Sequence, residues 1–371
     1  MLIGYISPTN PFEDRKAWSG TYFNTRKALE KAGHQVEWVS YRNDSLVDKL
    51  FSKVYRLVYG HGSYTHSGLA SKLRVKSIKQ DLSKYDLLFV PGQVDIVAGL
   101  HTSTPIVYYT DGTVPLMIGY YWFGFSNRAV KEAIAIEQKA INNASYVWLS
   151  SQWAADSVIN DFHAKSEKVS VFPFGAALDD DKIVQPSQYD GQVLKVMFSG
   201  VDWVRKGGQI AVDAVESLNE RGINSELLIC GIDALPNNLK NKAFIKNKGF
   251  LNKNNPKDLK RYLETWQQAN LLILPTRAEC SAIVFSEAAA YGVPVITTDT
   301  GGIGTYVLNG VNGERLPLSA NGKDYADMIE KWVKDKKLEK YSKGAKELYI
   351  KNISWDAWGK HFNEMFKINK S

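Results

Sequence analysis

Residues Leu271–Gly302 read LLILPTRAECSAIVFSEAAAYGVPVITTDTGG. Four apolar residues, Leu271 to Leu274, end at Pro275; a polar loop follows, and a helix starts near Ser281 and runs to Tyr291. Gly292 and Pro294 break that helix, and Val295 to Thr297 begins another apolar run. Strand, loop, helix and strand in this order form the repeating unit of a parallel sheet covered by helices. In such sheets ligands collect beyond the carboxyl ends of the strands, where the unpaired N–H groups of a following helix hold phosphate or hydroxyl oxygens. Glu279 falls in that loop. Glu287 falls within the helix, and its neighbours three and four residues away are Ile283, Val284, Ala290 and Tyr291. A carboxylate on so apolar a surface needs hydrogen-bond donors, and sugar hydroxyls are suitable ones. The plainer alternative is that Glu287 points to water or pairs with an arginine.

The same alternation continues on both sides. Before it lie a strand at Val193–Ser199, a helix at Gly207–Asn219, a strand at Leu227–Cys230 and a helix at Pro256–Gln268; after it come helices at Gly322–Val333 and Leu338–Ile350. Residues 179–192, with Pro186 and Gly191, read as a linker. Ahead of the linker a second series begins: strands at Leu2–Ser7, Gln35–Val39, Leu87–Val90, Ile106–Tyr109, Tyr146–Leu149 and Val169–Phe172, with a helix at Tyr22–Lys31 stopped by Gly33. The expectation is an α/β protein with one parallel-sheet domain at 1–180 and a second at 190–350. A last helix, capped by Ser354 and carrying Trp355, Trp358, Phe362 and Phe366, is expected to pack back on the first domain.

A chain of 371 residues exceeds what one core usually supports. With 44% hydrophobic and 23% charged residues its composition is globular. No run reaches the roughly 18 apolar residues of a membrane span, and MLIGYISPTN lacks the features of a secretory signal. Cys230 and Cys280 offer neither a disulfide framework nor metal-ligand spacing. A cytoplasmic location is expected. Between Lys49 and Lys84 there are eight basic residues and one acid, Asp81, an excess equal to the +7 net charge of the whole chain. Such a block suits an anionic partner: a membrane leaflet, a phosphorylated acceptor or nucleic acid.

The stretch from Leu271 resembles the signature of the retaining glycosyltransferase family 4, in which a strand is followed by P-S/T-x-x-E-G-F-G-L-x-x-x-E-A-x-A-x-G-x-P-V. Pro275, Thr276, Glu279, Glu287, Ala288, Ala290, Gly292, Pro294 and Val295 occupy the matching places. Other resemblances follow in order: SGVDWVRKG at Ser199–Gly207, Gly301-Gly302, Asn309–Gly313, Ser150–Trp153 and Pro173–Gly175. The resemblance implies the GT-B fold, two Rossmann-like parallel-sheet domains facing across a cleft. It implies that the C-terminal domain holds a nucleotide-sugar donor, UDP-sugar first and GDP-sugar second, and that a hexose-type sugar passes to a glycan, lipid-linked or cell-envelope acceptor. Glu287 would accept hydrogen bonds from the donor ribose, and Glu279 would contact the transferred sugar. The backbone at Cys280, Ser281, Ala282 and Ile283 would hold that sugar and the diphosphate, together with Gly200. Lys206 would neutralise the leaving diphosphate. Gly20 and Thr21, in a Trp18-Ser19-Gly20-Thr21 loop similar to the family's glycine loop, would approach the diphosphate from the other domain. No cofactor, metal or protein nucleophile is implied.

Three positions depart from the pattern. The family's arginine before Lys206 aligns with Val201, and Arg205 is the substitute at hand. Its His-Asp pair aligns with Thr110-Asp111, which leaves Asp111 to orient a sugar or to cap a turn. Its E-G-F-G loop reads Glu279-Cys280-Ser281-Ala282, which bears on the identity of the sugar. Val201 and Thr110 keep open a non-catalytic subunit that binds sugar or stabilises a partner. On the acceptor side, Leu69–Leu82 has the composition of a basic amphipathic helix, with Lys72, Arg74, Lys76 and Lys79 either toward an anionic membrane surface or acceptor or on the face of an ordinary solvated helix. The aromatic run Tyr120, Tyr121, Trp122, Phe123 and Phe125 would stack on sugar, sit at the interface or pack in the core. No nucleic-acid-binding module accompanies the charge. A peripheral position at the inner face of a membrane fits this reading.

Overall fold

The computed structural model of the protein describes residues 1–43, 46–186 and 188–367. Ser187 of the expected linker and residues 368–371 of the expected terminal segment therefore lie outside the described residues. The chain divides into two compact units, residues 1–173 with the chain from Gly359 on, and residues 174–358.

Unit 1 carries six parallel strands: β1 (Leu2–Ile6), β2 (Gln35–Val39), β3 (Leu87–Pro91), β4 (Ile106–Thr110), β5 (Tyr146–Leu149) and β6 (Val169–Val171). Their order in the sheet is β2-β1-β3-β4-β5-β6. The connecting helices are α1 (Thr21–Lys31), α2 (Leu46–Tyr59), α3 (Gly68–Ser77), α4 (Val94–Gly99), α5 (Val114–Met117), α6 (Asn127–Asn143) and α7 (Gln152–Asn160). β3 and β4 are buried along their whole length, as expected of strands covered on both faces. The sequence pattern assigns no helix to 46–59. It also extends the basic helix to Leu82, whereas α3 ends at Ser77 and the chain turns to extended backbone at Ile78.

Unit 2 repeats the plan with β7 (Leu194–Ser199), β8 (Ser225–Cys230), β9 (Ile245–Asn247), β10 (Leu271–Leu274), β11 (Val295–Thr298) and β12 (Gly313–Leu316), all parallel. Helices α8 (Gly208–Glu220), α9 (Pro256–Trp266), α10 (Ile283–Tyr291), α11 (Gly322–Lys334) and α12 (Lys337–Leu348) connect and cover them. The sheet order is β12-β11-β10-β7-β8-β9, the Rossmann order. The direction of winding reverses between β7 and β10, and the crevice at that reversal is where such sheets bind ligands.

The chain joins unit 2 at Phe174 because that residue is held there. Its N–H donates to the Tyr306 hydroxyl at 2.9 Å, and Ser286 donates to its carbonyl at 2.7 Å. The last helix, α13 (Trp355–Met365), contributes to both units. Trp355 donates to the carbonyl of Ala176 at 2.7 Å. From Gly359 on the helix belongs to unit 1, where Asn363 meets His34 at 2.8 Å and donates to the carbonyl of Ala32 at 3.0 Å. Phe362, fully buried, lies 5.6 Å from the ring of Trp148, which itself stacks on Phe172 at 3.8 Å.

Candidate functional site

In unit 2 the loops that follow β7 and β10 flank the reversal point, and they are locked together. Arg277 donates from its backbone to the carbonyl of Arg205 at 2.7 Å, and the Arg205 guanidinium donates to the carbonyl of Ala278 at 3.1 Å. Gly207 adopts φ +73° at the start of α8, and a Cβ there would stand 2.1 Å from the carbonyl oxygen of Pro275. Only glycine permits both the dihedral and the approach. Gly200 lies under the Lys206 stem, where a Cβ would come within 2.9 Å of Lys206 Cγ.

This packing turns Lys206 inward. It is 9% exposed, and its ammonium donates to Glu279 Oε2 in a buried ion pair. Arg205 adds a second cation 3.7 Å from the same carboxylate oxygen, with its Nε 3.4 Å from Asp202. Val201 is 68% exposed, so of the two positions it is Arg205 that faces Glu279. The carbonyl of Glu279 accepts from Gly302 at 3.1 Å, which ties the loop to the Gly301-Gly302 turn. Cys280, Ser281 and Ala282 are all buried and lead into α10 at Ile283. The Ser281 hydroxyl has no hydrogen-bond partner among the described residues. A buried hydroxyl left unpaired beside a helix N-terminus is a donor and acceptor available to a further polar group.

Glu287 is 1% exposed and does not point to water. Its two oxygens accept from Tyr262, at 2.5 Å, and from the ammonium of Lys253. The cation is thus a lysine, on the turn before α9, rather than an arginine. Tyr262 also meets the Ser199 hydroxyl at 3.3 Å, so Glu287 is connected to the end of β7. Burial first, and then the charge and hydrogen bond of Glu287, raise the Tyr262 phenol well above its usual range. Motif spacing picks out Glu279, Lys206 and Glu287, but gives no sign of Tyr262 or Lys253. Tyr262 is one aromatic on an amphipathic helix, and Lys253 sits in an asparagine-rich turn.

Gly20, Thr21 and Asp111 belong to unit 1, around its own reversal point between β1 and β3. Trp18, Ser19 and Gly20 are all left-handed, at φ +48°, +55° and +86°. The two non-glycine residues store backbone strain of the kind that collects at functional loops. The Trp18 ring packs 5.4 Å from Tyr22 and 6.5 Å from Tyr109. Thr21 is fully buried at the start of α1, with its hydroxyl unpaired among the described residues. Asp111 follows β4, and its charge helps burial raise the Tyr22 phenol.

The loop beyond Asp111 is held from behind by Glu137, which accepts from the backbone N–H of Val114 at 2.6 Å. Burial raises the Glu137 carboxyl from 4.5 to about 8, opposed by the Val114 N–H and assisted by Asp161. Between those pH values the folded chain keeps a proton that the unfolded chain loses, so stability falls as pH rises across the window. Glu137→Gln retains an acceptor for Val114 without the titration. It is expected to melt above the parent at about pH 8 and level with it at about pH 4.5, by thermal denaturation. A parent at least as stable as the variant at the higher pH would rule out a neutral Glu137.

The basic segment is corrected in one respect. Arg74 is 7% exposed and ion-paired with Asp95 at 2.8 Å, with Asp48 at 3.9 Å, so it cannot face a membrane or an acceptor. Lys72, Lys76 and Lys79 are exposed. The aromatic run packs partly on its own unit: Trp122 stacks on Phe125 at 5.2 Å and meets His66 at 4.9 Å, while Phe123 is 66% exposed. Among the described residues no helix is long and apolar enough to cross a membrane, and no group of three His, Cys, Asp or Glu is placed to hold a metal.

Solved structures share this two-sheet plan. A sucrose-phosphate synthase from Thermosynechococcus elongatus superposes with a TM-score of 0.67 at 16% identity, over 99% of this chain and 98% of its own. An Anabaena protein, HepE, solved with UDP and glucose, gives 0.62 at 16% identity over 98% and 99%. The fold is GT-B. Residues 179–348 match the family described as Glycosyl transferases group 1, and residues 21–180 match Glycosyltransferase Family 4. The chain belongs to that glycosyltransferase family. A D-inositol 3-phosphate glycosyltransferase from Paenarthrobacter aurescens is 26% identical over 208 residues, 52% of this chain and 50% of the relative. The match therefore spans about half of that relative's length.

Proposed function

We propose that the protein is a retaining, metal-independent glycosyltransferase that moves a hexose-type sugar from a nucleoside-diphosphate donor to a glycan or lipid-linked acceptor. The observation that carries this reading is the buried Lys206–Glu279 pair at the β7/β10 reversal, beside the unpaired Ser281 hydroxyl. The donor diphosphate would lie between Lys206, Arg205 and the start of α10. Positive charge fixed where the leaving group gains negative charge stabilises the transition state without reorganisation. Glu279 positions the Lys206 ammonium and offers its carboxylate to sugar hydroxyls. Glu287 retains lone pairs beyond those used by Tyr262 and Lys253 with which to accept from a ribose.

In the reaction the bond from the anomeric carbon to the diphosphate oxygen breaks as the acceptor oxygen bonds to the same face of that carbon. The acceptor proton passes to the leaving phosphate oxygen, and a nucleoside diphosphate departs. UDP is the favoured nucleotide, in line with the ligand of the Anabaena structure. In the absence of acceptor, slow donor hydrolysis is expected with one member of a nucleotide-sugar panel, and the sugar released or transferred should keep its anomeric configuration by NMR. Binding without any turnover would favour the non-catalytic subunit. Neither binding nor turnover across the panel would dismiss the site.

A further inference from the structure

Helix α2 has one face held and one face free. Tyr55 is buried; it stacks on Tyr59 at 4.8 Å and meets Tyr64 at 6.3 Å. Arg128 donates to the carbonyl of Val58 at 3.0 Å, and Ser126 donates to that of Tyr59. On the opposite side Leu46, Val47, Leu50, Val54, Leu57 and Val58 are all exposed, Leu50 by 60% and Leu57 by 87%. At 3.6 residues per turn these six fall in one stripe about 120° wide, the width with which a surface helix normally faces a core. Here the stripe faces water.

Lys49, Lys53 and Arg56 project together along one border of the stripe, all exposed. The one acid on the helix, Asp48, lies on the held face, toward Arg74 and Tyr64. The aromatic loop adjoins the C-terminal end of the helix. His61 meets the carbonyl of Gly124 at 3.0 Å and packs on Phe125 at 5.1 Å, and the same loop exposes Phe123 and Ile118.

We infer that α2, with the 118–125 loop beside it, docks on the surface of an anionic lipid bilayer, the six aliphatic side chains entering the headgroup–acyl boundary and the three cations meeting lipid phosphates. An aliphatic stripe bordered by cations, next to Tyr, Trp and Phe, is the pattern of a helix lying in a membrane interface. Charge complementarity selects this occupant over a second copy of the chain. A symmetric pair apposes the same patch on both copies, and α2 has no carboxylate on its free face to receive the partner's Lys49, Lys53 and Arg56.

The test is flotation with vesicles of phosphatidylglycerol and phosphatidylcholine in equal parts, and with phosphatidylcholine alone. The unmodified protein should float with the anionic vesicles, more weakly with the neutral ones, and less as salt is added. The triple change Lys49→Gln, Lys53→Gln, Arg56→Gln should lower partitioning to anionic vesicles by about a hundredfold, some fivefold for each cation near the surface. Leu50→Asp with Leu57→Asp should abolish flotation on both vesicles. Lys72→Gln, Lys76→Gln and Lys79→Gln together should have a much smaller effect. Unchanged melting temperatures show that each variant is folded, and since flotation needs no turnover, the result is independent of the donor site.

Three outcomes would overturn the inference. One is an unmodified protein that ignores anionic vesicles at low salt. Another is a loss of binding that follows the α3 lysines rather than α2. The third is a dimer in sedimentation that Leu50→Asp with Leu57→Asp converts to monomer, which would give the stripe to a second copy.

Discussion

Lys206→Ala is expected to reduce donor turnover by about a hundredfold or more, with most of the loss in kcat, because removing one fixed donor from a developing oxyanion has effects of that order. The lysine does two things that alanine cannot. On the proposed reading it presents the ammonium to the leaving diphosphate, and it neutralises Glu279, whose side chain is 9% exposed. Without it, Arg205 stays 3.7 Å from Glu279, too far to replace the direct ammonium–carboxylate contact. The two residues should therefore act as a unit, and Lys206→Ala combined with Glu279→Ala should cost much less than the product of the single losses. Steady-state kinetics on the four combinations measures this. A kcat within a factor of about two of the parent, in a variant with an unchanged melting temperature, would take the diphosphate away from Lys206.

Gly207→Ala is expected to be the most damaging small change near the site. A left-handed alanine is strained by itself, and its Cβ would stand 2.1 Å from the Pro275 carbonyl oxygen, a backbone atom that cannot swing aside. The loops after β7 and β10 must separate. Together these effects should cost on the order of 3 kcal/mol, or about 6–12 °C in melting temperature for a unit of this size. Gly222→Ala is the control. That glycine has φ +81° but nothing within 4 Å of a Cβ, so it should show the dihedral cost alone, about 1 kcal/mol. If the two variants melt together, contact with Pro275 is not what holds the loops.

Central strands were legible because burial on both faces leaves an unbroken apolar run. Tyr146–Leu149 and Leu271–Leu274 have the same bounds in the sequence pattern and in the structure. The edge strands β9 and β12 were not, since Ile245–Asn247 and Gly313–Leu316 each carry one apolar residue amid polar ones. Helix α2 escaped for another reason. Its aliphatic residues line the free face while tyrosines line the held one, so no single stripe distinguishes core from polar surface. Arg74 looked like one more cation in a basic run, because its partners Asp95 and Asp48 are far off in sequence and come to it only through the fold. In the site, spacing marked Glu279, Glu287 and Lys206. The lysine and tyrosine that meet Glu287 arrive from elements without a motif.

The return of the chain to unit 1 at Gly359 has a consequence for biosynthesis. All six strands of the first sheet are made before any of unit 2, yet Phe362 and Asn363, which lie against Trp148 and His34, are made only after unit 2 is complete. At translation rates of about 5–20 residues per second, the intervening stretch takes roughly 10–40 s to emerge. During that time the nascent first sheet has Trp148 and Phe172 without their late covering, an apolar surface open to a ribosome-associated chaperone.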